Sequence, residues 1–385
     1  MTEFTKYNAS THPIIKLEDD WNNLLDHGLE KSQNYLIRKS GSSWQALHGS
    51  TSVVAKSSSD PSETLQWTHD QGAGLTRIKS KSPTMELPSK IILNTNDYFL
   101  QSDWSTIIKK AIALNDYLFE VTNRVSLRGL FIDNAAINPQ FAIRFAGSTD
   151  SSMDYMNVQG GPGIYLQGDG ACFRHSVIVP SAAMQALKVQ SLWTRIHDIM
   201  LIGGNIPLEI FNSGIVQGVL IQIEDPTVCG AIIWGSYGGN SKINLSNLTI
   251  WGGHDYDGAG CHGIRLLGDT AINLDSPMIQ RVGGHGISCE SGEGVISNPS
   301  ISNCGKYGAG VYSGIELNAC SDYVINGGRI TDYQGTKTQK YAVVEVGAAD
   351  YNIVTAVNGR GNQNATKDFI KVGANSVFEH NIGRI

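Results

Sequence analysis

Little of this chain is charged, and the charge that it has is not basic. Only 17% of its 385 residues are Asp, Glu, Lys or Arg, and the formal net charge is -6. A surface without an excess of Lys and Arg has no positive field with which to hold a polyanion. We therefore expect no nucleic-acid partner.

Long apolar runs are also missing. No stretch approaches the roughly 18 apolar residues that a membrane-spanning helix needs, so we expect no membrane partner. The first six residues, Met1 to Lys6, lack the basic region and apolar core of a secretory signal. A signal removed earlier would fit this, as would a virion protein that needs none. We expect an extracellular or virion-associated protein.

The six cysteines form no C-x-x-C pair and show no His spacing typical of a zinc site. Cys289 falls on an apolar position of the repeat described next, where a thiol behaves as a small buried hydrophobe. We predict reduced, structural cysteines and no cysteine-bound metal.

Glycine is abundant, with 43 residues, and it recurs at fixed positions of a repeat. The repeat is clearest where His262-Gly263-Ile264-Arg265-Leu266 starts again, 23 residues later, as His285-Gly286-Ile287-Ser288-Cys289. Alternating apolar segments between Gly, Asn, Ser and Asp are typical of short strands joined by turns. A recurring period built only from short strands predicts a β-helix, which is an all-β solenoid.

One frame recurs along the chain at intervals of 21 to 32 residues: an inward apolar residue, an outward residue and a second inward residue. Because successive side chains of a strand point to opposite faces, the middle residues share one outer face. Length changes between framed strands are then absorbed by turns. The middle residues are Tyr165, Lys188, Glu209, Ile233, Arg265, Ser288, Glu316, Glu345 and Lys371.

The front of the chain predicts a cap for this solenoid. We expect residues 1–34 to be a leader or an oligomer contact, and residues 35–75 to hold a β-hairpin and a short capping helix. Asp60 can cap that helix, a proline follows at its first position, and Glu63 comes three residues after the cap. Residues 76–385 form the predicted parallel β-helix.

The segment R-V-S-L-R-G-L-F-I-D at residues 124–133 resembles the "V-x-I-x-G-L-x-I-D" coil of the pectate-lyase-like superfamily. The order of hairpin, capping helix and framed strands is similar to that superfamily as well. The resemblance covers about residues 35–385 and implies a right-handed parallel β-helix. Polysaccharide lyases, glycoside hydrolases and viral tailspike-type proteins share this scaffold, so the resemblance implies the function only loosely.

Gly284-His285-Gly286 is similar to the G-H-G segment of the polygalacturonases, which also need an N-T-D, paired aspartates about one coil upstream and an R-I-K downstream. Here the upstream coil offers His262-Gly263-Ile264-Arg265, and the downstream position is Gly314-Ile315-Glu316. We therefore interpret the segment as a turn followed by the start of a strand. His262 and His285 occupy the same place in successive coils, so we expect their rings to stack. The favoured interpretation is a ladder of turns with no chemistry, and the alternative is a ligand-binding pair.

The outer face supplies candidate contacts for a glycan. Cations can neutralise uronates, carboxylates can accept hydrogen bonds from hydroxyl groups, and rings can stack on sugars. The residues predicted there are catalytic Arg265, Lys188 and Glu209, and substrate-binding Tyr165, Glu316 and His285. The alternative is a solvated strand face whose mixed charges serve solubility.

The longest framed interval contains a second candidate site. Asp255 and Asp257 are two residues apart, so on an extended chain their carboxylates point the same way and can act as an acid and base pair. The residues predicted there are catalytic Asp255, Asp257 and His254, and substrate-binding Tyr256 and Trp251. One alternative is a surface loop whose aspartates form side-chain turns. Another is a calcium site built from the two carboxylates and backbone carbonyls.

The favoured hypothesis is an enzyme that degrades an extended, acidic polysaccharide. Lys188 and Arg265 lean slightly towards a lyase, whereas Asp255 and Asp257 lean towards a hydrolase. The alternative is a non-catalytic glycan-binding or virion attachment protein assembled as a homotrimer, and a third hypothesis is a purely structural solenoid. Calcium is the one cofactor considered, and none is firmly implied.

Overall fold

The computed structural model describes residues 34–48, 54–71, 74–79, 84–94, 96–111, 114, 116–134, 140–146, 151–235, 241–252, 261–268 and 271–384. The chain divides into two compact units, one ending at Val177 and the other beginning at Ile178. We describe each unit by itself. The boundaries expected from the sequence, after residues 34 and 75, stay predictions.

Sixteen strands begin in the described part of the first unit, together with one helix, α1, Pro61–Asp70. Strands β1 to β16 are Asn34–Ser40, Ser43–His48, Val54–Ser58, Leu75–Ile78, Met85–Leu87, Ile91–Leu93, Tyr98–Gln101, Ile107–Lys110, Phe119–Val121, Val125–Arg128, Phe131–Asp133, Ile143–Phe145, Ser152–Asp154, Asn157–Gln159, Ile164–Leu166 and Ala171–Val179. The hairpin expected at the front of this unit is confirmed, because β1 and β2 pair antiparallel from Tyr35 opposite His48 to Ser40 opposite Ser43.

The second unit contains only strands among its described residues. Strands β17 to β35 are Leu187–Val189, Trp193–Ile202, Leu208–Phe211, Ile215–Glu224, Cys229–Trp234, Lys242–Trp251, His262–Leu267, Ala271–Asp275, Met278–Gln280, Ile287–Cys289, Glu293–Ser297, Ser300–Ser302, Ile315–Asn318, Tyr323–Asn326, Arg329–Thr331, Val343–Val346, Ile353–Thr355, Phe369–Ile370 and Val377–Glu379. Within the described residues, no helix is long and apolar enough to cross a membrane.

Helix α1 begins as expected and covers a strand edge. The carboxylate of Asp60 accepts a hydrogen bond from the backbone N–H of Ser62 at 2.7 Å, which satisfies one of the orphan amides of a helix start. Glu63 does not reach back to the cap; it binds Lys56 and Ser58 at 2.5 and 2.6 Å. The side-chain amide of Gln66 both accepts from the N–H of Ile92 and donates to its carbonyl, at 2.8 and 3.0 Å. The helix thus caps the outer edge of β6.

Parallel sheets build the rest of the first unit. Sheet 1B consists of β6, β9, β12 and β15, paired in that order. Sheet 1A continues from the hairpin through two parallel series, β4, β7, β10, β13 and β16, and β5, β8, β11 and β14. Each coil therefore adds strands to both sheets, as the period of the sequence predicts.

The second unit repeats this plan. Sheet 2B consists of β17, β19, β21, β23, β26, β29, β32 and β34. Sheet 2A consists of the long strands β18, β20 and β22, followed by the shorter series β24, β27, β30, β33 and β35, and β25, β28 and β31. The fold class expected from the sequence, an all-β right-handed parallel β-helix with a short capping helix, is confirmed.

The alternating frame is confirmed in most of the strands to which it was applied. In β23, Ile264 and Leu266 are buried while Arg265 lies between them on the outer face. The same pattern holds for β15, β17, β19 and β29. In β26, Ser288 is the register partner of Arg265 but is itself buried. Cys289 is a buried interior residue, and all six cysteines are free.

The frame is wrong by one residue in β21, β32 and β34. Register pairs Glu209 with Ile232, so Ile233 points inward and is fully buried. Register also pairs Leu317 with Glu345, which is therefore a buried interior carboxylate and not an outward one. In β34 the interior residue is Phe369, so the predicted frame starting at Ile370 is displaced and Lys371 is not the outward member of the strand.

Glu345 is tolerated inside because every lone pair has a donor nearby. Its carboxylate accepts hydrogen bonds from Asn352 at 2.9 Å, from the hydroxyl of Ser376 at 2.5 Å, and from the backbone N–H groups of Val372 and Gly373 at 2.8 and 2.9 Å. A buried charge with four donors avoids most of the desolvation cost that an unpaired one would incur. Glu345 thereby ties the turn after β34 to the interior.

Candidate functional site

The structure brings four of the predicted site residues onto one sheet of the second unit and places a fifth just before a strand of that sheet. Lys188, Glu209, Arg265 and Glu316 lie on sheet 2B, and His285 comes just before β26. Tyr165 lies on β15 of the first unit. Trp251 ends β22 on sheet 2A, with its side chain 42% exposed. Asp255, Asp257, His254 and Tyr256 lie outside the described residues.

Arg265 and Glu290 form a bidentate ion pair across neighbouring coils. The guanidinium Nε and Nη2 donate to the two carboxylate oxygens at 2.8 and 2.9 Å, the fork geometry that makes such pairs strong. The hydroxyl of Ser288 adds a hydrogen bond at 3.3 Å. The hydrogen bond from Arg265 lowers the pKa of Glu290 below its ordinary value. Glu290 is therefore held as a carboxylate.

Glu316 lies on the next strand of the sheet in a different environment. Its side chain is only 19% exposed, and the Nε2 atom of His285 lies 3.2 Å from its carboxyl oxygen. Burial, followed by the negative charge of Glu290, raises the pKa of Glu316. Glu316 therefore holds its proton to a higher pH than an exposed glutamate does.

The predicted stacking of His262 on His285 is confirmed. Their ring centroids are 5.2 Å apart at an interplanar angle of 9°, and Tyr312 packs edge-on against both rings. The backbone N–H of His285 donates to Nδ1 of His262, and the N–H of Ser313 donates to Nδ1 of His285, each at 3.0 Å. Because a backbone amide can only donate, both Nδ1 atoms are unprotonated acceptors.

This arrangement fixes the protonation state of the two rings. A neutral imidazole whose Nδ1 accepts carries its hydrogen on Nε2. Burial, and then the charge of Arg265, lowers the pKa of His262 to about 4. Burial, and then the proximity of His262, lowers the pKa of His285 to about 3. At neutral pH both rings are therefore hydrogen-bond donors through Nε2 and not general bases.

A second ion pair lies further along the same sheet. Lys188 Nζ is 3.2 Å from the carboxylate of Glu209, on the adjacent strand, and the side chain of Gln185 donates to the same carboxylate at 2.6 Å. Lys188 and Arg265 are thus each paired with a carboxylate.

An exposed aromatic pair next to these charges was missed by the sequence analysis. Phe211 and Trp234 are register partners, and their rings meet edge to face at 5.3 Å. The displaced frame in β21 had placed Trp234 in the interior, whereas its side chain is 47% exposed. A frame starting at Ala231, which register aligns with Leu208, would have found it.

The site can therefore offer a carboxylate, a carboxyl group with a raised pKa, two imidazole N–H donors and an aromatic surface. Pairs of titratable groups whose environments separate their pKa values are typical of acid and base assignments. Among the described residues, no group of three or more His, Cys, Asp or Glu side chains is arranged to hold a metal ion. The two aspartates of the calcium interpretation are not among them.

Comparison with known proteins identifies the fold. No family model and no curated protein matches the sequence. The A-module of mannuronan C-5 epimerase AlgE6 from Azotobacter vinelandii aligns with a TM-score of 0.56 at 12% identity, over 84% of this chain and 95% of that one. Tailspike protein 3 of bacteriophage CBA120 aligns with a TM-score of 0.49 at 11% identity, over 84% of this chain and 59% of that one. The resemblance to parallel β-helix proteins is thus confirmed at the level of the fold.

Proposed function

We propose that sheet 2B binds an extended glycan and that Glu316 and Glu290 cleave it by hydrolysis. The observation that carries this proposal is the opposite shift of two neighbouring carboxyl groups, one pKa raised and the other lowered. Glycoside hydrolysis needs a carboxylic acid to protonate the leaving oxygen and a second carboxylate as base or nucleophile. The fold also supports a glycan substrate, since the similar AlgE6 module is named as an epimerase of mannuronan.

In this mechanism Glu316 donates its proton to the glycosidic oxygen. Glu290, kept ionised by Arg265, either takes a proton from the water molecule that attacks the anomeric carbon, or attacks that carbon itself to form a glycosyl ester that water then hydrolyses. The Nε2–H of His285 lies beside the Glu316 carboxyl and stabilises the carboxylate that remains after proton transfer. The predicted site at Asp255 and Asp257 stays a separate proposal.

A lyase, which the sequence slightly favoured, has less support from the geometry. Proton abstraction beside a uronate needs a cation for the carboxylate and a free base. Arg265 and Lys188 are each neutralised by a glutamate. Neither histidine offers a basic nitrogen, because both Nδ1 atoms accept backbone hydrogen bonds. A uronate carboxylate would therefore have to displace a glutamate from Arg265 or Lys188, whereas hydrolysis needs no such exchange.

The test is incubation with a panel of acidic and neutral polysaccharides. We expect new reducing ends without the ultraviolet absorbance of unsaturated products. Glu316→Gln removes the acid while keeping the shape, so activity should fall at least about 100-fold. Glu379→Gln, an exposed glutamate on sheet 2A, is the matched control. Unsaturated products, or full activity in Glu316→Gln, would contradict the proposal.

A non-catalytic glycan-binding or virion attachment protein is the second candidate. The ion pairs favour it, because Lys188–Glu209 and Arg265–Glu290 leave each cation satisfied without a substrate. This candidate predicts retention of a glycan on the protein with no product, and equal retention by Glu316→Gln. An extracellular or virion-associated location belongs to either candidate.

A further inference from the structure

The aromatic pair of sheet 2B is held in a fixed orientation. The edge of Phe211 supports the indole of Trp234 from the neighbouring strand at 5.3 Å. Gly268, next to the register partner of Trp234 on β23, leaves room for the indole, since a Cβ there would lie 2.7 Å from Cδ1 and 3.0 Å from Nε1 of Trp234. Any larger residue at position 268 would therefore displace the ring. An exposed indole that packs against Phe211 is available for stacking on a flat ligand.

Register places this indole in the same outward row as Glu290 of the candidate acid pair. Trp234 is the partner of Leu267 on β23, and Leu266 is the partner of Cys289 on β26. Glu290 follows Cys289 directly and so lies in the same outward row, two strands from Trp234. Glu316 is on the next strand. At the usual spacing of strands, Trp234 is about 10 Å from the strand of Glu290 and about 14 Å from that of Glu316, measured along the sheet.

We infer that Trp234, supported by Phe211, is a binding subsite on which one pyranose ring of the glycan stacks while a bond further along is placed at Glu316. This inference rests on the proposed function. The ligand is an oligosaccharide long enough to span about 14 Å, with a sugar ring that presents a face of C–H groups to the indole. The ammonium of Lys188, 5.6 Å from the ring of Phe211, lies near this subsite and can donate a hydrogen bond to a hydroxyl of the same sugar while it stays paired with Glu209.

The separation of about 14 Å between Trp234 and the strand of Glu316 means that substrate length can be used to test the subsite. Oligosaccharides that occupy only the acid pair do not reach the indole, so loss of the indole should affect long substrates and spare short ones. We would titrate the Glu316→Gln protein, which does not consume the ligand, with dimers and hexamers from three series. The series are oligomers of galacturonate, of mannuronate and of β-1,4-linked glucose. The hexamer that binds should bind at least about tenfold more weakly when Trp234→Ala is added, and should bind nearly normally with Trp234→Phe. Dimer binding should not change.

Trp104→Ala is the matched control, because Trp104 is similarly exposed but lies between β7 and β8 of the first unit. Hexamer binding should shift the tryptophan emission in this variant as in the parent protein, and the shift should disappear in Trp234→Ala. In the active protein, Trp234→Ala should raise KM for the hexamer and leave kcat within about twofold.

The outcomes separate the subsite from the chemistry. A hexamer that binds through Trp234 without being cleaved would overturn the proposed hydrolysis and leave the subsite standing. Cleavage with unchanged KM in Trp234→Ala would overturn the subsite alone. An equal loss of binding in Trp234→Ala and Trp104→Ala would also overturn it, because the effect would then be general. Failure of every oligosaccharide to bind would overturn both.

Discussion

At the scale of single residues, the stacked histidines link the candidate site to the pH dependence of stability. In the unfolded chain a histidine has a pKa near 6.5, whereas burial lowers the pKa of His262 to about 4 and that of His285 to about 3. Between these values the unfolded state binds more protons than the folded state, so stability falls as the pH falls from 6.5 towards 4. Glu316, with its raised pKa, contributes in the opposite direction.

We predict that His285→Asn reduces this pH dependence. Asparagine keeps an acceptor where Nδ1 accepts from Ser313 but cannot be protonated. The loss of unfolding free energy between pH 7 and pH 5 should shrink by about 2 kcal/mol relative to the unmodified chain. Urea unfolding at the two pH values measures it, with the exposed His380→Asn as control. An unchanged pH dependence in His285→Asn would show that the buried ring does not govern it.

At the scale of the element, the glycines of the repeat are required by the packing of one coil on the next. A Cβ on Gly286 would lie 2.6 Å from the carbonyl oxygen of Gly314 and 2.5 Å from Ile301. Gly230 and Gly263 meet the carbonyl of the following coil in the same way. The G-H-G segment therefore reflects close approach of backbones, which agrees with its interpretation as a turn and strand start.

Gly286→Ala is thus expected to destabilise the second unit by about 1 to 3 kcal/mol, the usual cost of overpacking a core. Gly335→Ala is the control, since a Cβ there would meet nothing within 4 Å. The midpoint of urea denaturation should fall for the first variant and stay nearly constant for the second. Equal midpoints would mean that the backbone moves apart at little cost.

The sequence predicted the elements better than their register. Alternation identifies a face only when inward residues are apolar and outward ones polar. In β21, Ala231, Ile232, Ile233 and Trp234 offer no such contrast, so the frame slipped by one residue. In β32 the interior residue is Glu345, whose hydrogen bonds come from residues seven or more positions away. No local pattern reports donors of that kind.

For a related reason, the sequence predicted only those site residues that lie in the framed strands or recur with the repeat. Arg265 and Glu316 follow from the frame, and the stacking of His262 on His285 follows from the repeat. Glu290 lies one residue beyond a framed strand, and its role depends on the guanidinium of the preceding coil. Opposite pKa shifts arise from burial and from contacts between coils, which a single strand does not encode.

At the scale of the whole molecule, one row of sheet 2A bears on assembly. Register aligns Val295, Val324, Ile353 and Val377 on four consecutive strands, and three of them are 39 to 40% exposed. The preceding strands carry polar residues in the same row, namely Arg195, Gln217, Asn244 and Asn273. A continuous apolar row on the outside contributes nothing to the interior and is typical of an interaction surface.

A second copy of this chain is the occupant that fits this row best. Copies related by a symmetry axis parallel to the solenoid axis of this unit have the same strand spacing of about 4.8 Å along it, so matching rows stay in register over all four strands.

We predict a homotrimer, with a mass by sedimentation equilibrium three times that of the 41.6 kDa chain. The double variant Val295→Asp with Ile353→Asp should sediment as a single chain, whereas Val228→Asp, exposed outside the row, should not change the mass. A single-chain mass for the unmodified protein would contradict the trimer. A trimer that survives the double variant would place its interface elsewhere.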